Sequence, residues 1–538
     1  MDVFSTRFRG SAVGSPVNDT FNLTAVGDFT DQGLGGNDRF YFGGALTAAD
    51  KVDGGTGKDV AYLDGDYSGA HAVTLASDTL VGIERITLAA GHDYDLTSDD
   101  GTVASGDVLT VGGSKLQAGD SLAFNGAAET DGRFLFQGGA GDDTLTGGAG
   151  ADTFNLALGG IDSANGGQGN DRFTLGAAFT AADSVDGGLG QDSATLAGNY
   201  SAFVFGASTL VGVETLTLAG GFDYDLTTND ATVAAGATLK VDATGLQAGD
   251  TLRFDGSAET DGHFNLTGGA GNDTLIGGAQ SDFFQLRRGG TDSAQGNGGN
   301  DTFSLGSKFT AADTIDGGAG SDTAVLNGDY SGGLVLGATT MTNVETLKLR
   351  AGSSYTLTTD DATVAAGQTL TVDGSGLLSA DKVNFDGSAE SDGHFVLTGG
   401  AGADTFKGGL QGDTFTGGAG ADTFAYDGPS QSTSTTHDTI TDFDATVDKF
   451  DLNVAVTSIH VPLAGSIDAA NFDNNLGFIV NDALSAGAAV VINANAGDLN
   501  GHAFLVVMAA GNGFYTAGSD YVMDITGSTG TLTTGNFV

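Results

Sequence analysis

A nine-residue unit, Gly-Gly-x-Gly-x-Asp-x-(Phe/Leu)-x, recurs along this chain and limits its possible folds more than any other feature. Clean copies stand at Gly138–Thr146 (GGAGDDTLT), Gly147–Asn155 (GGAGADTFN), Gly268–Ile276, Gly399–Lys407 and Gly417–Ala425. Each copy is a glycine turn, one carboxylate and a short strand with one apolar residue. No copy can bury that residue alone, so stacked copies must supply the core. The spacing supports stacking: Asp143, Asp152, Asp162 and Asp171 are separated by 9, 10 and 9 residues. Asp273, Asp282, Asp292 and Asp301 reproduce it, and Asp404, Asp413 and Asp422 fall at intervals of nine.

A second period of about 130 residues lies over the first. LTAADKVDGGTGKD, FTAADSVDGGLGQD and FTAADTIDGGAGSD place Asp53, Asp186 and Asp316 in equivalent positions. AAETDGRF, SAETDGHF and SAESDGHF align Asp131, Asp261 and Asp392. The chain therefore divides into an incomplete first long repeat (1–137), a second (138–267), a third (268–398), a terminal nonapeptide block (399–427) and a non-repetitive C-terminal region (428–538). Alternating apolar and polar runs between Gly, Asp, Asn and Ser turns read as short strands throughout. LTAAD and ATVAAG are too short to stand as helices. The expected fold is all-β: one continuous parallel β-roll or β-solenoid with glycine-rich turns and a small β-rich C-terminal cap. Leu145, Phe154, Phe173, Leu275, Phe284, Phe303, Phe406, Phe415 and Phe424, with Leu156 and Leu305, should point inward as core. GFIV, AVVINA and AFLVVM read as strands of the cap.

Charge narrows the function. With 68 acidic against 19 basic residues, the net charge of −49 excludes binding to a nucleic-acid backbone. So much like charge repels the compact state unless the acids converge on cations. There is no Cys, hence no disulfide and no thiolate site. No apolar run approaches the roughly 20 residues that span a bilayer. The N-terminal stretch MDVFSTRFRGSAVGSPV has no apolar core of the Sec signal type.

The nonapeptide supplies hard oxygen ligands, which calcium takes in sets of six to eight with irregular geometry. Its glycines permit φ > 0 and expose carbonyls, and its Asp adds a carboxylate. The candidate metal ligands are Asp143, Asp152, Asp162, Asp171, Asp273, Asp282, Asp292, Asp301, Asp404, Asp413 and Asp422, with the turn glycines Gly138, Gly147, Gly166, Gly268, Gly399 and Gly417. Several loops depart from the unit. Those at Asp282 and Asp413 lose the fourth glycine, and those at Asp38 and Asp301 lose the second. Those at Asp59, Asp192 and Asp322 carry Ala at the eighth position. These read as structural turns with weak or no calcium.

On these motifs the chain resembles the RTX, or repeats-in-toxin, exoproteins of Gram-negative bacteria. The resemblance implies a β-roll in which two nonapeptides form one coil, so that Asp143 pairs with Asp162 and Asp152 with Asp171 around rows of calcium ions. It also implies type I secretion by an uncleaved C-terminal signal, and GSTGTLTTGNFV is similar to such a tail. HDTITDFDATVDKFDL (His437–Leu452) resembles the segment after the β-roll in serralysin-type peptidases. Its Asp442, Asp444, Asp448 and Asp451 read as a polar cap in preference to a last calcium site. The implied location is extracellular, with the secretion machinery, self-association or a surface polysaccharide as partners.

Catalytic signatures are missing from the sequence. The seven His form no H-E-x-x-H, and there is no G-x-S-x-G. The leading expectation is a non-catalytic, secreted, calcium-stabilised structural protein of a surface layer or matrix. The alternatives are a carbohydrate-active solenoid using a pair such as Asp223 and Asp225, a remnant of a secreted hydrolase, or a bacteriocin.

Overall fold

A computed structural model describes residues 11–480, 484–510 and 513–538. The stretch 1–10, which carries most of the signal-peptide argument, lies outside the described residues. The chain forms two compact units, Met1–Gln280 and Ser281–Val538.

The first unit is a parallel β-solenoid. Most strands pair with the next but one along the chain, so consecutive strands alternate between two walls; where a coil carries an extra strand, such as Tyr200–Val204, the partner is the next but two. One wall stacks Tyr94–Ser98, Leu122–Asn125, Thr144–Thr146, Ser163–Asn165 and Ser184–Asp186, in register Leu96↔Phe124↔Leu145↔Ala164↔Val185. The other stacks Arg133–Gln137, Thr153–Leu156, Arg172–Leu175, Ser193–Leu196 and Thr215–Leu218 through Phe136↔Phe154↔Phe173↔Ala194↔Leu216. Strict alternation puts every second side chain between the walls, and the strands are short because Gly-Asp turns close each coil. In-register stacking brings like residues together. Phe154 and Phe173 lie parallel with centroids 4.8 Å apart, and Phe21 and Phe40 at 4.6 Å. All eleven residues expected to point inward are buried.

The second unit repeats the design. Phe284↔Phe303↔Ala324↔Leu347 forms one column, and Phe385↔Phe406↔Phe424↔Phe450 another. It then changes character. Strands Ala488–Ala496, Ala503–Val507 and Tyr521–Asp524 are antiparallel neighbours, and the last pairs parallel with Asp438–Ile440 of the final coil. The cap is thus hydrogen-bonded into the wall it closes. Phe472–Val480 is an α-helix, α1, so GFIV is helical and not a strand. Phe472, Leu476 and Val480 recur every four residues and are all buried in the cap's own apolar cluster. That period runs over nine residues, of which GFIV is only the last four.

Candidate metal centres

The repeated aspartates form hydrogen-bonded rows along the coils. In one row of the first unit, the backbone N–H of Asp152 donates to Oδ1 of Asp171 (2.6 Å), that of Asp171 to Asp192 (2.7 Å), and that of Asp192 to Oε2 of Glu214 (2.6 Å). In the opposite row Asp143 donates to Asp162 (3.0 Å), and Asp162 to Asp183 (2.7 Å). An earlier row runs Asp19, Asp38, Asp59 and Glu84. In the second unit the same links join Asp282, Asp301, Asp322 and Glu345, Asp292 and Asp313, and Asp404, Asp422 and Asp448. Asp413 donates to Asp438 (2.9 Å).

These links join most of the predicted aspartates and add members that the spacing did not reveal, whereas Asp273 accepts from the N–H groups of Leu252 (3.2 Å) and Gly269 (2.6 Å). Asp183 and Asp313, from the thrice-repeated TAAD, end their rows with Oδ2 capped by the N–H groups of Thr180 and Thr310, while Asp50 of the first copy accepts from the N–H groups of Phe29 and Thr47. Glu84, Glu214 and Glu345 end three more rows; VGIE, VGVE and TNVE hold the signal at a fixed place in each long repeat. Asp19 follows Gly14 by five residues and precedes Phe21 by two, which is the nonapeptide spacing without its middle glycines. Asp448 belongs to a row as well as to the cap, since it is buried and accepts from both Asp422 (2.9 Å) and Asp444 (2.7 Å).

The glycines serve two different needs. At the first position the requirement is space. A Cβ on Gly147 or Gly166 would lie 2.2 Å from Oδ2 of its own loop's Asp152 or Asp171, and the figures for Gly138, Gly268, Gly399 and Gly417 are 2.7, 2.7, 2.3 and 2.5 Å. None of these six has left-handed backbone; the φ > 0 expected of the turn falls on other glycines. Left-handed backbone appears further into the turn, as at Gly190 (φ +154°), where a Cβ would meet the carbonyl oxygen of Gly169 at 1.5 Å. Carbonyls of successive loops thus crowd the turn where the carboxylates lie.

Burial sets the electrostatics. Burial pushes the Asp143, Asp152 and Asp273 carboxyls up to about 6. Burial, with repulsion from neighbouring carboxylates in the row, takes Asp162, Asp171 and Asp301 to about 7. Within a row the carboxylates are not equally satisfied. Oδ2 of Asp143, Asp152, Asp404 and Asp413 accepts an N–H from its own loop's glycine. Oδ2 of Asp38, Asp59, Asp171, Asp192, Asp301 and Asp322 is buried with no hydrogen-bond partner. Such orphaned anionic oxygens beside stacked carbonyls are a hard-oxygen environment that fits a calcium ion. Most of them belong to the loops that depart from the nonapeptide.

The pair weighed as catalytic acids is otherwise engaged. Oδ1 of Asp223 accepts from the Thr251 N–H (2.8 Å) and hydroxyl, and Asp225 pairs with Arg253 (3.1 Å). The C-terminal tail folds onto the final coil: Phe537 stacks on Phe450, and the Asn536 amide donates to the carbonyls of Ala445 and Asp448.

Comparison with known families agrees with this geometry. Residues 222–529 match the model of the peptidase M10 serralysin C-terminal region. Residues 135–160 match the model of the RTX calcium-binding nonapeptide repeat, in its four-copy form. No curated protein matches the chain.

Proposed function

The chain belongs to the serralysin C-terminal family, whose model covers more than half of it, and from that premise we propose a secreted, calcium-loaded structural protein of the cell surface or extracellular matrix. It is a calcium-binding RTX-type protein. The ions bind along the aspartate rows, held by Asp143, Asp152, Asp162 and Asp171, by Asp273, Asp282, Asp292 and Asp301, and by Asp404, Asp413 and Asp422. Turn carbonyls of the adjoining glycines complete each site. Asp192 and Asp322, in the same rows, and Asp38 and Asp59, in a row of the same kind, join these ligands, because each has an unpartnered oxygen.

The observation that carries the reading is the set of buried, orphaned Oδ2 atoms. Without a cation, each row stacks desolvated carboxylates against one another, which opposes folding. With one, the same oxygens become ligands, and binding free energy becomes folding free energy. A chain that stays open at low cytosolic calcium and closes outside the cell suits export as an extended polypeptide. It is non-catalytic in this reading, and its repeats serve as scaffold.

Circular dichroism tests the calcium step. Adding millimolar calcium to chelated protein is expected to produce a large gain of β signal, and identical spectra would overturn the mechanism. Imaging tagged protein on intact cells tests the location: a surface-bound layer or matrix is expected, and protein found only free in the medium would sink the structural role.

A further inference from the structure

The aligned AETDG and AESDG turns lie outside the nonapeptide rows, yet the third of them gathers carboxylates of its own. Oxygens of Asp361, Glu390 and Asp392 all lie within 4.8 Å of one another. Asp361 and Asp392 are exposed, whereas Glu390 is fully buried. One oxygen of Glu390, Oε1, is well held by the N–H groups of Asp392 (3.1 Å) and Gly393 (2.8 Å). The other, Oε2, is buried and has no hydrogen-bond partner. A Cβ on Gly393 would come within 3.2 Å of the Glu390 carboxyl carbon, so the turn keeps this side chain tightly enclosed.

A buried carboxylate with an unused oxygen beside two further carboxylates is costly unless a cation joins them. The geometry points to a divalent-cation site of a second kind, with Asp361, Glu390 and Asp392 as ligands and calcium as the cation class. Calcium suits it because carboxylates from two loops and water can complete an irregular shell. The first long repeat lacks the feature. There Oε2 of Glu129 accepts the Val103 N–H (3.2 Å), and Oδ1 of Asp100 takes both the N–H and hydroxyl of Thr130 (2.9 and 2.5 Å). The third repeat has Ser391 in that place, and its N–H donates to Oδ1 of Asp361 (2.8 Å) and Oε1 of Glu390 (3.1 Å).

The test is native mass spectrometry of the full chain at saturating calcium, counting bound ions. The double variant Asp361→Asn/Asp392→Asn changes only exposed side chains, and its folding is checked by circular dichroism. It is expected to carry one ion fewer than the unaltered chain, as is Glu390→Gln. Asp100→Asn/Asp131→Asn in the first repeat is expected to keep the full count. An unchanged count in the Asp361/Asp392 variant overturns the site, and so does an equal loss from the first-repeat variant. An unaltered chain that binds no calcium would instead fail the nonapeptide reading as well.

Discussion

Asp171 and Asp152 show how one residue type serves two purposes in one row. Oδ2 of Asp152 accepts the Gly148 N–H (2.7 Å), whereas Oδ2 of Asp171 has no partner. Asp171→Asn keeps an oxygen for the Asp152 N–H and removes one buried negative charge. We expect it to stabilise the calcium-free protein at pH 8, by roughly 1–3 kcal/mol, and to weaken calcium binding about tenfold or more. Paired thermal melts with chelator and with calcium will show these opposite signs; a loss in both would mean that Asp171 is only structural. Titration gives a second prediction. Asp143, Asp152 and Asp273 move from 3.8 to about 6, and Asp162, Asp171 and Asp301 to about 7. The folded state therefore holds protons that the unfolded chain releases at lower pH. The resulting stability is complete below about pH 4 and disappears as pH rises through 6 to 7. In calcium-depleted buffer Tm should fall from pH 5 to pH 8, and saturating calcium should remove that fall. A flat calcium-free profile would contradict the buried rows. The periodic Asp residues were legible in the sequence because a nine-residue count finds them. Asp183 and Glu214 were not, since their coils are longer and their loops lack the glycine turn. Their recurrence at one place in every long repeat was the only available sign.

At the scale of the element, a strand of three to five residues has little stability alone, and its column provides the rest. Phe154 lies between Phe136 (5.0 Å) and Phe173 (4.8 Å) and is fully buried. Phe154→Ala should cost about 3–5 kcal/mol in the presence of calcium. Chemical denaturation with an unchanged midpoint would refute the load placed on the column. The turns are equally demanding. Gly190→Ala puts a methyl 1.5 Å from the Gly169 carbonyl at φ +154°, so roughly 3 kcal/mol or more should be lost. Gly221→Ala is the control: its φ is also left-handed (+88°), but nothing lies within 4 Å, so only the smaller backbone cost applies. Strands and turns were readable from alternation and glycine spacing because both periods are local. Helix α1 was not: its buried face rests on Phe472, Leu476 and Val480, spread over nine residues, while GFIV draws attention to four. Tertiary packing against the cap's strands decided that segment.

For the whole molecule, charge and burial make separable demands on folding. The net charge of −49 acts through solvent and is screened over about 8–10 Å at physiological salt. The row carboxylates act through the interior, where dissolved ions do not reach; Asp59, Asp171 and Asp322 have essentially no exposed surface. Sodium chloride at high concentration should therefore contract the calcium-free chain without restoring its strands. Calcium should do both, because a bound ion meets the orphaned Oδ2 atoms directly. Small-angle scattering and circular dichroism on the same samples separate the two effects. Salt is expected to reduce the radius of gyration with little gain of β signal, and calcium to reduce it further with a full gain. Recovery of β structure in sodium chloride alone would mean that diffuse repulsion, and not the buried rows, holds the chain open. The fold would then need no ion inside it, and the aspartate rows would lose their claim to be the element that calcium switches.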